Sequence, residues 1–397
     1  MHKCRNCKSV EKFIEILNLG PMPLAGGFLD KSDIPNEKLY ELKVHSCKIC
    51  GLVQILDAIT PEILFENYSF SSSTVIPLVT HFENLAKEIS SRINSESKIL
   101  EIGCNDGILL APLNKMGFQT IGVDISKNIT QVARSKGLNV YTGMFNLEWI
   151  NQNYQFENYF DLISCSNSFP HNADPDNLLK AMYNALTKDG EIVLEIMYAG
   201  KLLEDTQWDT LYHEHLTFYS LTTLKSLLET HGFFVYDAEI IPMHGGSIRV
   251  WASKIEKPGT HRMNTIVQTE QISNLNSVES WINFGKASIR SIDIVQDILG
   301  RLSKEKKIGA YGAAGKATMW LNACKLDFVE FVVDASPLRY GKFMPGVHSP
   351  IISPDEFKKN YPDLVLVTAW NYLEQIKKNE TNYGGIWCSP LPTLNFS

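Results

Sequence analysis

The stretch that decides the fold reads ILEIGCNDG and runs from Ile99 to Gly107. An apolar strand ends at Glu101, a glycine loop follows, and we expect a helix from about Ile108. Glycines at 103 and 107 allow the backbone to turn sharply and to approach a ligand closely. The spacing differs from the dinucleotide pattern G-x-G-x-x-G. The segment therefore predicts a strand–loop–helix unit with a ligand at the loop.

Asp124 ends the next apolar strand, in IGVDIS, where an acidic residue commonly accepts ribose hydroxyls. The loop itself is similar to motif I of class I methyltransferases, E-x-G-x-x-x-G. S-adenosylmethionine carries no phosphate, which suits a loop that lacks Lys and Arg. The alternative is that Glu101 and Asp106 are solvated loop acids. The predicted cofactor-binding residues are Glu101, Gly103, Asn105, Asp106, Gly107, Asp124 and Phe145, the last beside the adenine.

Strand-like and helix-like stretches alternate on both sides of this loop. Such alternation predicts a parallel sheet covered on both faces. The predicted strands are 98–103, 120–125, 138–143, 160–165 and 190–198, then a hairpin of 233–241 and 246–254. A polar helix pair is expected at about 262–305, and a second α/β pattern follows with strands at 307–312, 328–334, 363–370 and 384–390.

The fold class is therefore α/β in three parts. We predict a zinc-binding module at 1–70, a class I methyltransferase Rossmann-like domain at 71–260, and a second Rossmann-like domain at 261–397 that holds the nucleotide of a substrate.

Two tight cysteine pairs mark the first part. Cys4-x-x-Cys7 and Cys47-x-x-Cys50 have the knuckle spacing of a structural zinc site, because two intervening residues let a turn aim both thiolates at one ion. Four thiolates complete a tetrahedral site and leave no position for water. The alternatives are unmetallated thiols and a redox dithiol, although neither pair opens a helix after a strand.

Composition excludes some partners. The chain has 397 residues and a net charge of −7, with scattered Lys and Arg, which argues against nucleic acid. No long apolar run predicts a membrane span, and the first residues do not form a signal peptide, so we expect a cytoplasmic protein. The four other cysteines are isolated in the sequence, and we expect them to behave as small buried hydrophobic residues.

Acid–base groups are concentrated at Tyr212-His-Glu-His215. A metal site is one interpretation, but the H-E-H spacing points the two histidines apart. A general base is better supported, because a neutral imidazole suits proton abstraction near neutral pH.

The ordered motifs make the whole chain resemble the sugar C-methyltransferases that act on nucleotide-linked keto-deoxysugars. They are the two cysteine pairs, the motif I loop, Tyr-x-Glu-His at 212–215, His-Gly-Gly-Ser-x-Arg at 244–249, Tyr-Gly-Ala-Ala-x-Lys at 311–316, Pro-Gly at 345–346 and Ala-Trp-Asn at 369–371. The order of the motifs is specific, whereas no single motif is.

The resemblance implies a catalytic set, and the sequence leaves open whether a histidine or a tyrosine is the primary base. The set comprises the base His215 with Glu214 and Tyr212, Asn167 and His171 after the fourth strand, and Tyr68 in the segment before the cofactor domain. A base would remove the acidified proton beside a ketone, and polar groups would stabilise the enolate oxygen. Zinc takes no part in that chemistry.

The C-terminal part carries candidate substrate ligands. GAYGAAGKA at 309–317 resembles a phosphate-binding turn, and His244–Arg249 is expected to close the sugar pocket. Bound NAD and a simple packing turn are the alternatives. The predicted substrate-binding residues are Gly246, Ser247, Arg249, Gly312, Lys316, Arg339 and Lys342.

The resemblance thus implies methyl transfer to C-3 of a nucleotide-linked 4-keto-6-deoxysugar. The rivals are an O- or N-methyltransferase, and a non-enzymatic zinc-ribbon interaction protein. The carrier (dTDP, GDP or CDP), the sugar, its stereochemistry and the oligomeric state stay open.

Overall fold

The structure is a computed structural model that describes residues 1–65 and 70–397. Its N-terminal unit is an antiparallel sheet in which apolar and polar side chains alternate, so that Leu42 and Val44 are fully buried. The elements of this unit are β1 (Phe13–Pro23), β2 (Leu39–Cys47), β3 (Val53–Ile55) and the short helix α1 (Pro61–Phe65).

The central unit is a seven-stranded sheet with helices on both faces. Its elements are α2 (Ile76–Arg92), β4 (Lys98–Ile102), α3 (Leu110–Lys115), β5 (Gln119–Asp124), α4 (Lys127–Ser135), β6 (Val140–Thr142), α5 (Leu147–Gln152), β7 (Phe160–Ser166), α6 (Pro175–Ala185), β8 (Leu186–Met197), α7 (Ala199–Glu204), β9 (Thr217–Phe218), α8 (Leu221–Thr230), β10 (Phe234–Ile241) and β11 (Ser247–Ser253).

The strand order of this sheet is β10-β11-β8-β7-β4-β5-β6. Strands β6, β5, β4, β7 and β8 are parallel neighbours, and β11 enters antiparallel between β8 and β10. The carboxyl ends of β4, β5 and β7 therefore meet at one edge, where open α/β sheets bind ligands. Strand β9 leaves the sheet and pairs with β3 of the N-terminal unit.

The C-terminal unit is a six-stranded sheet in the order β14-β13-β12-β15-β16-β17, parallel except for its last strand. Its elements, with the two helices that precede them, are α9 (His261–Ile272), α10 (Val278–Leu302), β12 (Ile308–Tyr311), α11 (Gly315–Ala323), β13 (Val332–Val333), β14 (Ile351–Ile352), α12 (Pro354–Phe357), β15 (Leu364–Val367), α13 (Leu373–Asn379), β16 (Ile386–Ser389) and β17 (Asn395–Phe396).

The helix pair α9 and α10 packs on the first two units. Helix α9 lies against β10 and α8, and α10 crosses β1. The crossing is close, because a Cβ on Gly285 would lie 1.7 Å from the carbonyl oxygen of Ile16. The boundaries at 70 and 260 stay a proposal. Among the described residues, no helix combines the length and apolar character that a membrane span requires.

Candidate functional site

The four paired cysteines come together beside β1 and β2. Their Sγ atoms all lie within 4.8 Å of one another, with Cys4 and Cys50 at 3.6 Å and Cys7 and Cys47 at 3.6 Å. Tetrahedral Zn²⁺ with Zn–S bonds of about 2.3 Å separates its sulfur ligands by about 3.8 Å. None of the four is in a disulfide. The residues therefore fit one closed, structural zinc ion.

Two side chains tie this cluster to its surroundings. The Gln54 amide donates to Cys4 Sγ at 3.3 Å. The Arg5 guanidinium, between the first two cysteines, donates to the carbonyls of Ile55 at 2.6 Å and Ala173 at 3.3 Å. Since Ala173 belongs to the central unit, the zinc knuckle is fastened to both sheets.

The predicted cofactor loop, residues 103–107 after β4, needs glycine at two positions for its backbone conformation. Gly103 has φ +71° and Gly107 has φ +82°, in the left-handed region where a side chain is strained. A Cβ on Gly103 would lie 1.9 Å from Ser168 Oγ, and one on Gly107 would lie 2.0 Å from Leu138 Cδ1. The loop after β4 is therefore pressed against the loop after β7.

Two carboxyl groups face the ends of these strands. Glu101 is 2% exposed, and its Oε2 has no hydrogen-bond partner among the described residues. Burial, followed by the charges of Asp124 and Asp106, raises the pKa of Glu101 well above its usual range. Asp124 accepts the backbone N–H of Asn105 at 2.9 Å and of Ser126 at 2.8 Å, and burial raises its pKa. A buried oxygen without a donor is expensive, so the pair fits a ligand rich in N–H and O–H groups.

Asn105 and Asp106 use their side chains to hold residues 70–73. Asn105 accepts the Ser72 N–H at 2.9 Å and donates to the Phe70 carbonyl at 3.0 Å. Asp106 accepts the Ser71 hydroxyl at 2.6 Å and pairs with Lys136 at 3.1 Å. Direct contact of these two side chains with a cofactor stays a prediction.

Phe145 is 3% exposed and packs on Trp149, with the ring centroids 5.2 Å apart. Its contact with an adenine also stays a prediction.

His215 lies in a buried turn after Trp208–Thr210. Its Nδ1 is 2.7 Å from the Thr210 carbonyl oxygen. Because a carbonyl only accepts, Nδ1 carries the proton and Nε2 keeps its lone pair. Burial, together with His171, lowers the pKa of His215 well below its usual value. The rings of His171 and Tyr212 lie 5.0 Å and 4.0 Å from it. Burial lowers the pKa of His171 to about 4, so both imidazoles are neutral.

Glu214 connects the turn at residues 212–215 to the zinc module. Its Oε1 accepts the Gly26 N–H at 2.9 Å, and burial raises the pKa of Glu214 to about 7. From the C-terminal unit, Gly315 packs on Tyr212, since a Cβ there would lie 2.9 Å from Tyr212 Cζ. All three units thus meet at residues 212–215. His213 points away and contacts the Tyr40 carbonyl at 3.1 Å.

Asn167 sits beside the cofactor loop in a strained conformation, with φ +55°. Its N–H donates to the Glu195 carbonyl at 2.7 Å, and its buried Oδ1 has no partner among the described residues. It therefore offers a free amide oxygen next to Ser168. Tyr68 lies outside the described residues.

The turn predicted to bind phosphate, within residues 309–317, lies near the 212–215 turn. Lys316 Nζ is 3.4 Å from the His244 carbonyl and 4.3 Å from the centre of the Trp370 ring. Arg339 donates to the Ala313 carbonyl at 2.6 Å and pairs with Asp334 at 3.0 Å. Gly312, with φ +101°, packs on Ala369. Lys342 pairs with Asp30 at 3.0 Å, on the face toward the zinc module.

Arg249 in β11 is occupied by carboxylates of the central unit: Glu195 at 2.6 Å, Glu88 at 2.5 Å and Glu239 at 3.0 Å. The Ser247 hydroxyl donates to the Met243 carbonyl at 3.1 Å, and Gly246 faces the Lys201 side chain. These contacts need no ligand, and a substrate role for these residues stays a prediction.

The sequence reasoning missed one buried group beside the site. Asp209 is fully buried, and its Oδ2 accepts the indole N–H groups of Trp320 at 2.9 Å and Trp370 at 2.7 Å. The sequence signal that could have indicated Asp209 is its position three residues before Tyr212 of the Tyr-x-Glu-His motif.

Comparisons with known proteins agree with this architecture. Three family profiles match: a zinc binding domain at residues 4–65, a methyltransferase domain at 80–238 and a C-methyltransferase C-terminal domain at 242–392. C-methyltransferase NovU of Streptomyces niveus is 29% identical over 98% of this chain and 95% of that protein.

Other matches cover a smaller share of the chain. Ubiquinone biosynthesis O-methyltransferase of Yersinia enterocolitica is 26% identical over 24% of this chain and 41% of that protein. The crystal structure of a SAM dependent methyltransferase from Archaeoglobus fulgidus is 19% identical, covers 44% of this chain and 94% of that one, and has a TM-score of 0.37.

The family profiles and the full-length relative set aside the non-enzymatic alternative. The cofactors are S-adenosylmethionine and Zn²⁺, and the four cysteines fit the Zn²⁺. The position of S-adenosylmethionine at the loop after β4 stays a prediction. The chain is therefore an S-adenosylmethionine-dependent methyltransferase that carries the C-terminal domain of C-methyltransferases.

Proposed function

We propose that this enzyme methylates C-3 of a nucleotide-linked 4-keto-6-deoxysugar through an enolate. The observation that carries the proposal is the 2.7 Å contact between His215 Nδ1 and the Thr210 carbonyl oxygen. The Nδ1 proton is committed to the Thr210 carbonyl, so Nε2 is an unprotonated base in a buried turn. A sugar carbon must lose a proton before it can attack a methyl group. The C–H proton beside a ketone is the most acidic one on such a sugar ring, because its loss gives an enolate.

The neighbouring groups suit the charge that develops. As His215 Nε2 takes the C-3 proton, the ketone oxygen becomes an oxyanion, and a hydroxyl or amide donor stabilises it by about 3–4 kcal/mol. The centroids of the Tyr212 and His215 rings are 4.0 Å apart, and Asn167 precedes Ser168, which lies against Gly103 of the cofactor loop. When bound, S-adenosylmethionine supplies the electrophilic methyl group that the enolate carbon accepts.

The 167–171 segment joins the two halves of the site. Ser168 touches the cofactor loop at Gly103, and the Pro170 carbonyl accepts the Leu216 N–H at 2.9 Å. The base and the cofactor loop are therefore held by one short segment. In the C-terminal unit, we propose that Lys316 and Arg339 hold the diphosphate of the sugar nucleotide.

The test uses 4-keto-6-deoxyhexoses linked to dTDP, GDP and CDP. We expect one of them to gain a methyl group with S-adenosylmethionine. The same compound should take up deuterium at C-3 from D₂O when S-adenosylhomocysteine occupies the cofactor site. His215→Gln should lower both rates by about 10²–10⁴-fold, the range of a general base.

His213→Gln is the matched control, because its side chain faces Tyr40 and should leave both rates unchanged. Methylation of the 4-hydroxy analogue at an equal rate, or methyl transfer without deuterium uptake, would contradict the enolate and favour an O- or N-acceptor.

A further inference from the structure

Asp209 occupies the middle of the short turn that precedes the catalytic residues. It is fully buried in the central unit, yet both donors to its Oδ2 come from the C-terminal unit: Trp320 on α11 and Trp370 after β15. One carboxylate oxygen that accepts two indole N–H groups is a charge-assisted link between units.

The next residue in the chain holds the base. The Thr210 carbonyl accepts from His215 Nδ1 at 2.7 Å, and this contact decides which imidazole nitrogen carries the proton. The turn is itself tightly closed, since Leu211 N–H donates to the Trp208 carbonyl at 3.0 Å. A shift of Asp209 is therefore passed to the Thr210 carbonyl.

Trp370 also touches the cation that we assign to the diphosphate. Lys316 Nζ lies 4.3 Å from the centre of the Trp370 ring, whose indole N–H donates to Asp209. Gly245 packs against the same ring, since a Cβ there would lie 2.8 Å from it. Substrate binding and base alignment thus share one side chain.

We propose that Asp209 is a positioning residue that fastens the Trp208–Thr210 turn to the C-terminal unit and so holds His215 with Nε2 unprotonated. The assignment of Nε2 as the base rests on the proposed function. The tautomer of His215 does not, and it can be measured without a substrate.

The test compares Trp370→Phe and Trp320→Phe with Trp281→Phe. Trp281 is as buried as Trp320, but its indole N–H has no partner among the described residues, so its variant controls for lost ring volume. Trp320→Phe removes a donor without touching the Lys316 contact. Asp209→Ala removes the acceptor, and Asp209→Asn keeps one carbonyl oxygen in case the alanine variant does not fold.

Imidazole ¹⁵N spectra, with His215→Gln to assign the signal, should show one tautomer protonated at Nδ1 in the parent enzyme and in Trp281→Phe. The Trp370, Trp320 and Asp209→Ala variants should show a mixture of tautomers and a C-3 deuterium uptake lowered about tenfold, the effect of losing one charge-assisted hydrogen bond. Affinity for S-adenosylhomocysteine should not change.

An unchanged tautomer in Trp370→Phe and Trp320→Phe, and in Asp209→Ala if that variant folds, would overturn the inference, even if uptake fell, because the loss would then lie in substrate binding. Absence of deuterium uptake in the parent enzyme would overturn the proposed function alone, since the tautomer would still report on Asp209.

Discussion

Glu214 is a carboxyl group enclosed by two units, with one backbone donor from Gly26. Burial raises the pKa of Glu214 to about 7. An acid with a raised pKa is protonated in the folded state while its unfolded counterpart has ionised. Between about pH 4.5 and 7 the folded protein therefore holds the extra proton, and stability falls as pH rises through that window.

We predict that Glu214→Gln removes the part of the stability loss between about pH 4.5 and 7 that is due to Glu214. A rise in the pKa from 4.5 to about 7 corresponds to about 3 kcal/mol of lost stability, complete above pH 7. The measurement is the free energy of unfolding in urea at pH 5 and pH 8, taken as the difference between variant and parent. That difference cancels the buried histidines, whose lowered pKa values act in the opposite direction.

The exposed Glu256→Gln is the control and should give a difference that does not depend on pH. Equal pH dependence in Glu214→Gln and the parent enzyme would mean that Glu214 is ionised when buried, and its contact with Gly26 would then be an ordinary charge-assisted bond.

At the scale of elements, the loop between β4 and α3 has no room for a side chain at Gly103. We predict that Gly103→Ala lowers the affinity for S-adenosylhomocysteine about a hundredfold, equivalent to about 3 kcal/mol. The new Cβ would lie 1.9 Å from Ser168 Oγ, which pushes the two ligand-facing loops apart. Calorimetric titration measures the affinity.

Two further variants separate the clash from backbone strain. Gly117→Ala also has a positive φ, +95°, but nothing within 4 Å of the new Cβ, so its affinity should stay near the parent value. The pair Gly103→Ala with Ser168→Gly removes the obstructing side chain and should recover most of the binding. No recovery would place the defect in the φ of residue 103.

Which elements the sequence could predict depends on how local their signals are. Strands β4, β5, β7 and β8 were predictable because buried parallel strands are apolar runs bounded by turns. The two-residue strands β9 and β14 were not predictable, because they are defined only by pairing with strands distant in sequence.

The same distinction between local and distant signals applies to the residues of the site. The Tyr-x-Glu-His motif is contiguous, whereas the Glu214–Gly26 and Asp209–Trp370 contacts join residues distant in sequence.

Across the whole molecule, the zinc site and the base are joined by a short run of structure. Gln54 contacts Cys4 through its side chain, and its backbone pairs with Thr217 in β9. The Ile55 N–H donates to the Leu216 carbonyl at 3.0 Å, one residue beyond His215. The cysteine cluster is thus a few short contacts from the turn that holds the proposed base, His215.

We predict that removing zinc with a chelator loosens β3 and β9 together and abolishes methyl transfer, while the affinity for S-adenosylhomocysteine persists. The cofactor loop would survive because its own supports, from Phe70 to Ser73 and from Asp124, do not involve the cysteines. Hydrogen exchange at Cys47–Ile55 and Leu216–Phe218, with calorimetry in parallel, measures both effects. Zn²⁺ should restore protection and turnover, whereas Mg²⁺, which prefers oxygen ligands, should not. If residues 216–218 stayed protected without zinc, Arg5 and the sheet alone would be holding the base in place.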